Sequence, residues 1–306
     1  MKEANGKAVK LANGDIGVAP VSGEEDSVRR TSTFPREFLH HRFTYVVISP
    51  RARGLSVGVN MNPDKKCQFN CIYCEVDRVI SPGGPELDVP AMASELKTTL
   101  DYVRSGRLRE LHAYRKVPDE LLKLRHVALS GDGEPTLAPH FAEALQAIMH
   151  VRALSGLPFF KLVLITNAVA LDLPPVQRGI AHLTKDDEIW AKLDGGTSAY
   201  LSKVNGTSVP LERILANVLA VGRKRPVVIQ SLFPSINGQE PPVSEIEEYA
   251  RRLQELKAGG AQISLVQIYS ATRPMPHSEC GHLPLKVLSN IAQTVRQMTG
   301  LTTEVF

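Results

Sequence analysis

The chain has 306 residues, 43% of them hydrophobic, with 36 basic against 32 acidic side chains and a formal charge of +4. That length buries a full core without disulfides, and so mild a positive excess does not by itself mark a nucleic-acid binder. No apolar run approaches a membrane span and no charged-then-apolar leader opens the sequence, so a cytoplasmic protein outside the membrane is expected.

Residues 1–37 mix Gly, Ser, Lys and Glu with little periodicity, and read as a flexible N-terminal extension ahead of a domain over 38–306. From 38 to 47 the chain turns aromatic and apolar, and residues 54–60 alternate like a strand. Just beyond that strand come Cys67, Cys71 and Cys74, three of the four cysteines in the chain. Three closely spaced thiolates can bind three irons of a 4Fe-4S cluster and leave the fourth iron open. Zinc would want a closed tetrahedral set, and the remaining thiol, Cys280, lies far along the chain beside His277 and His282. A disulfide framework suits a chain of this size poorly. Iron and sulfide are the better reading, and a zinc-stabilised binding protein without catalysis is kept as its competitor.

An alanine-rich helix is expected over 91–103, with Met92, Leu96, Leu100 and Val103 at helical spacing. Arg104, Arg107, Arg109, Arg115 and Lys116 gather after it, and read as a solvated helix and loop in preference to an RNA-contacting patch. A short buried strand over 126–130 runs into Gly131-Asp132-Gly133-Glu134-Pro135-Thr136, where glycines let the backbone approach a ligand and Glu134 offers an acceptor for an ammonium group. Strands at 161–166, 188–194, 226–232 and 263–269 alternate with helices at 139–154, 174–182, 211–221 and 243–256. That alternation means an α/β fold with a parallel sheet and right-handed crossovers. A last helix at 285–298 ends before Gly300, and 302–306 adds a terminal strand. Polar residues end the strands: Thr166 and Asn167, Lys192 and Asp194, Gln230 and Ser231, Gln267 and Tyr269. Inside apolar strands such groups must be paired or face a ligand. For Lys192 and Asp194 both a catalytic role and a structural ion pair stay open.

The Cys-x3-Cys-x2-Cys spacing, with Tyr73 just before the last cysteine, resembles the signature of the radical S-adenosylmethionine superfamily. Residues 49–60 with Asn62-Pro63, and Glu75-Val76-Asp77-Arg78 after the thiols, resemble the branch related to wyosine-synthesising tRNA enzymes. The resemblance implies a partial (β/α)6 barrel, where periodicity alone also allows an open doubly wound sheet. It implies S-adenosylmethionine chelated by the open iron, with Gly133, Glu134 and Pro135 holding its amino group, Asn167 and the fourth strand end approaching it, and Tyr73 against its adenine. It further implies an oxidoreductase fed by a reductant protein such as flavodoxin or ferredoxin, with tRNA as the first candidate substrate. Asp132 stands where the family's first glycine usually falls, and no cysteine precedes Cys67, unlike the wyosine enzymes. A small molecule, peptide or partner enzyme is therefore the second candidate substrate. Cys280 reads as an ordinary free thiol.

Overall fold

β1 (Thr44–Ser49) reverses through residues 50–53 into β2 (Gly54–Asn60), and the two pair antiparallel. Gly58 is what lets them lie so close: a Cβ there would come within 2.1 Å of the Tyr45 ring, which crosses β2 to bond Ser130 Oγ at 2.8 Å. The computed structural model describes residues 38–76, 86–271, 275 and 277–306. The expected N-terminal extension over 1–37, Asp77 and Arg78 lie outside the described residues.

α1 (Val89–Arg104) begins at Asp88, whose carboxylate accepts from Ala91 N at 2.9 Å, and Pro90 follows where the missing N–H is no loss. Met92, Leu96 and Leu100 form its buried face, as their spacing demands. Glu95 accepts from Phe43 N at 2.7 Å and from Thr44 N at 3.2 Å, which ties the start of β1 to this helix. Short 3-10 turns then lead into β3 (Leu124–Ser130) and, past the Gly-Asp-Gly-Glu turn, into α2 (Phe141–Leu154).

The chain continues through β4 (Lys161–Thr166), α3 (Pro174–Ile180), β5 (Glu188–Lys192), α4 (Ser198–Asn205), α5 (Leu211–Gly222), β6 (Val227–Leu232), β7 (Ser235–Ile236) and α6 (Val243–Ala258). β8 (Ile263–Tyr269), β9 (Cys280–Gly281), α7 (Leu285–Thr299) and β10 (Thr303–Val305) complete it. One eight-stranded sheet runs β1-β2-β3-β4-β5-β6-β8-β10, parallel except for β1. The six expected strands are its unbroken centre. The structure adds β1 on one edge, an antiparallel β7–β9 pair, and α4.

Successive residues on each strand face opposite ways, and both faces are buried. Leu162, Leu164, Ile189, Ile229 and Val266 belong to the main core, whereas Val163, Trp190 and Val228 form a second, separate cluster with Ile165 and Leu265. The second cluster is the apolar floor inside the curve of the sheet. Further along the same strands the inward positions become Gln230, Gln267, Lys192 and Tyr269. The interior is therefore greasy at the strand starts and polar at the strand ends, where a parallel barrel keeps its chemistry.

Candidate functional site at the strand ends

The cysteine loop follows β2 and is gripped from two sides. Lys66 O accepts from Glu134 N at 2.8 Å, and Gly133 is packed so tightly that a Cβ would lie 2.2 Å from the same carbonyl. On the other side, the last turn of α4 leaves carbonyls without helical partners. Asn205 O accepts from Asn70 N at 2.8 Å and Val204 O from Ile72 N at 2.9 Å. The loop is thus seated against a helix end that sequence reading missed. Its signals were there: Thr197 caps the helix, accepting from Tyr200 N at 3.2 Å, and Gly206 closes it in the left-handed region.

Cys67, Cys71 and Cys74 are half-buried and none is in a disulfide. Two neutral amides approach their sulfurs: Asn205 Nδ2 is 3.3 Å from Cys71 Sγ, and Asn167 Nδ2 is 3.8 Å from Cys67 Sγ while it donates to Gln68 Oε1 at 3.0 Å. Burial, and then the Asp194 charge, push the Cys71 thiol up to about 12. A metal that binds it must therefore displace a proton.

Asp194 is the hub behind the loop. One oxygen accepts from Leu232 N at 2.9 Å and pairs with Lys192 Nζ at 3.0 Å. The other accepts from Asn205 Nδ2 at 2.7 Å and from the Tyr73 hydroxyl. Burial works most strongly against the Lys192 charge, but Asp194, Tyr269 and Cys71 together outweigh it and the ammonium is held above its ordinary pKa. Burial and then Asp194 likewise raise Tyr73. Lys192 also donates to Tyr269 OH at 3.1 Å and stands 5.2 Å from the Tyr73 ring centroid. The ion pair expected as one reading of Lys192 and Asp194 is present, and it braces the cysteine loop.

Glu134 is 3% exposed, and burial raises its carboxyl against the pull of its hydrogen bonds. Oε1 takes Thr166 Oγ1 at 2.5 Å, Thr136 Oγ1 at 2.6 Å and Thr136 N at 3.2 Å. Oε2 takes Asn167 N at 2.7 Å. Glu134 therefore fastens the end of β3 to the end of β4, and Oε2 keeps room for a second donor. Pro135 is buried in the turn that follows. A cavity of about 340 Å³ opens at the strand ends, lined by Tyr73, Cys74, Gly131, Leu232 and Tyr269 among others.

Other sequence-marked groups lie apart. Cys280 is buried in β9, where burial pushes its thiol up to about 11. His282 is bonded to Ala271 O at 3.0 Å, and His277 is 3.7 Å from Glu279. Among the described residues no three His, Cys, Asp or Glu side chains gather as a single ion would require. The arginine cluster is largely neutralised by Arg104–Asp101, Arg107–Glu110 and Arg109–Asp119 pairs, in keeping with a solvated surface. Among the described residues no helix is long and apolar enough to cross a membrane.

No family model matches the chain. The UPF0026 protein slr1464 of Synechocystis is 31% identical over 170 residues, 54% of this chain and 54% of that protein. A UPF0026 protein of Helicobacter pylori is 31% identical over 135 residues, 42% of this chain and 36% of that one. The matched stretch thus spans about half or less of these relatives. Among solved structures, TYW1 with a lysine-pyruvate adduct bound superposes with a TM-score of 0.55 at 16% identity, over 84% of each chain. Streptococcus suis SuiB bound to S-adenosylmethionine gives 0.51 at 16% identity, over 80% of this chain and 49% of that one. The likeness establishes the fold: a partial barrel of the radical S-adenosylmethionine type, as the cysteine signature implied.

Proposed function

We propose that the protein is a radical S-adenosylmethionine enzyme in which Cys67, Cys71 and Cys74 each bind one iron of a 4Fe-4S cluster. The observation that carries this reading is the seating of the cysteine loop at the strand ends, with amide N–H groups of Asn205 and Asn167 turned toward two of its sulfurs. Such donors stabilise charge on thiolate sulfur and tune an iron-sulfur centre. Three closely spaced cysteines, with the fourth far along the chain at Cys280, suit a cluster in which each binds a separate iron better than the closed tetrahedral set that zinc wants. When bound, the cluster and S-adenosylmethionine supply an electron and a sulfonium whose cleavage gives a 5'-deoxyadenosyl radical.

The chain's own residues hold and orient these groups. Glu134 Oε2 receives the methionine ammonium, and Gly133 and Pro135 shape the turn that brings it there. Asn167 steadies Cys67 and Gln68. Tyr73 lines the cavity where the adenine is expected, its hydroxyl fixed by Asp194. Lys192 and Asp194 act as positioning residues: they fix Tyr73 and Asn205, and Lys192 leaves positive charge near the cavity.

For the substrate we favour a tRNA base. The lead-in at 49–60 and the Glu75-Val76 step after the thiols support it by their resemblance to the wyosine branch. A small molecule, peptide or partner enzyme is the second reading, favoured by the lack of cysteines before Cys67. The reductant is a protein of the flavodoxin or ferredoxin kind. Iron and inorganic sulfide analysis after anaerobic reconstitution tests the cluster, since stoichiometric zinc without sulfide would sink it. Binding of tRNA that weakens steeply with salt supports the first substrate, and absence of binding moves the search to the second.

A further inference from the structure

Two cations share the ring of Tyr269. Arg51, in the turn between β1 and β2, places its guanidinium carbon 4.4 Å from the ring centroid, and Lys192 Nζ lies 5.3 Å from it. Only Lys192 has a carboxylate. Asp194 is committed to it, to Leu232 N, to Asn205 and to Tyr73. Arg51 makes no hydrogen bond or ion pair among the described residues, and its Nε is buried without a partner. An unpaired buried donor costs stability, and a ligand acceptor beside it would relieve that cost. Arg51 also lines the 340 Å³ cavity that includes Tyr73, Cys74, Glu75 and Ser270.

We propose that Arg51 anchors an anion subsite in this cavity, where its guanidinium fork takes a carboxylate or phosphate group of the substrate. Either group matches the fork with two oxygens. As a statement about substrate, the proposal rests on the reading above; as a statement about anion binding, it does not.

The test is calorimetric titration of the reconstituted protein with inorganic phosphate and, separately, with acetate, at low chloride. At least one anion binds the wild type, and Arg51→Gln weakens it about tenfold or more. Arg51→Lys keeps the charge but loses the fork, and falls between the two. Phosphate alone identifies a phosphoryl-bearing substrate, acetate alone a carboxylate-bearing one. The proposal is overturned if neither anion binds, or if Arg51→Gln changes affinity less than about twofold. It is equally overturned if that variant weakens S-adenosylmethionine by the same factor, which assigns Arg51 to the cofactor's own carboxylate. Should Arg51→Gln fail to fold, Arg51→Lys carries the comparison. Cleavage of S-adenosylmethionine by the wild type is scored separately, so that its failure with anion binding intact removes the proposed function and leaves the subsite.

Discussion

Asp194→Asn removes one charge and almost no volume from the hub behind the cysteine loop. Lys192, whose side chain is 14% exposed, then keeps its charge with no carboxylate, since among the described residues Asp194 is its only ion-pair partner. Removing one partner of a buried pair costs about 3–5 kcal/mol, because the other is left uncompensated. The bonds from Asn205 and Tyr73 also weaken from charge-assisted to neutral. Adding Lys192→Met takes away the stranded charge, so the double variant should be more stable than Asp194→Asn alone. Urea unfolding of the metal-free proteins, followed by circular dichroism, measures all three. A loss below about 1 kcal/mol for Asp194→Asn, or a double variant less stable than the single, would refute the view that Asp194 compensates a buried charge.

Three further outcomes follow from the same geometry. His126 is 3% exposed, and burial, with Lys161 and Arg51 adding to it, lowers its pKa to about 3. The unfolded chain takes up that proton near pH 6.5 and the folded chain does not, so stability present above this range falls as pH drops toward 3, by about 1.4 kcal/mol per pH unit. His126→Gln should flatten that part of the stability profile measured by urea titration at several pH values. Gly133→Ala forces a Cβ against Lys66 O and should destabilise by about 1–3 kcal/mol, with iron bound per chain after reconstitution falling well below wild type. Asn205→Leu deletes the donor to Cys71, and a redox titration followed by electron paramagnetic resonance should find the cluster potential more negative.

Much of the fold was legible because buried parallel strands read as continuous apolar runs and their helices carry a 3.6-residue period. Those signals are local, and they place β2 to β6 and β8 correctly. β1 was only partly legible: Thr44–Ser49 is an edge strand whose partner and direction are fixed by the Tyr45–Gly58 contact across the hairpin. α4 was overlooked because eight residues give little periodicity, although Thr197 and Gly206 marked both its ends. At the site, the thiols and the Gly-Glu-Pro turn were visible through spacing. The Asn205 amide, the saturation of Glu134 Oε1 and the stacking of Arg51 on Tyr269 join residues tens to hundreds of positions apart, so no local pattern could contain them. Lys192 and Asp194 were conspicuous as polar strand ends, but only the three-dimensional network shows what they brace.

In the proposed enzyme three cysteines hold a cluster able to cleave S-adenosylmethionine. The direct measurement is to reconstitute the wild type and Cys71→Ala anaerobically with iron and sulfide, add dithionite and S-adenosylmethionine, and quantify 5'-deoxyadenosine by chromatography. The wild type should yield 5'-deoxyadenosine and Cys71→Ala none above background, although the variant should still fold. Equal product from both proteins, or a wild type that takes up zinc but no iron and sulfide, would contradict this expectation.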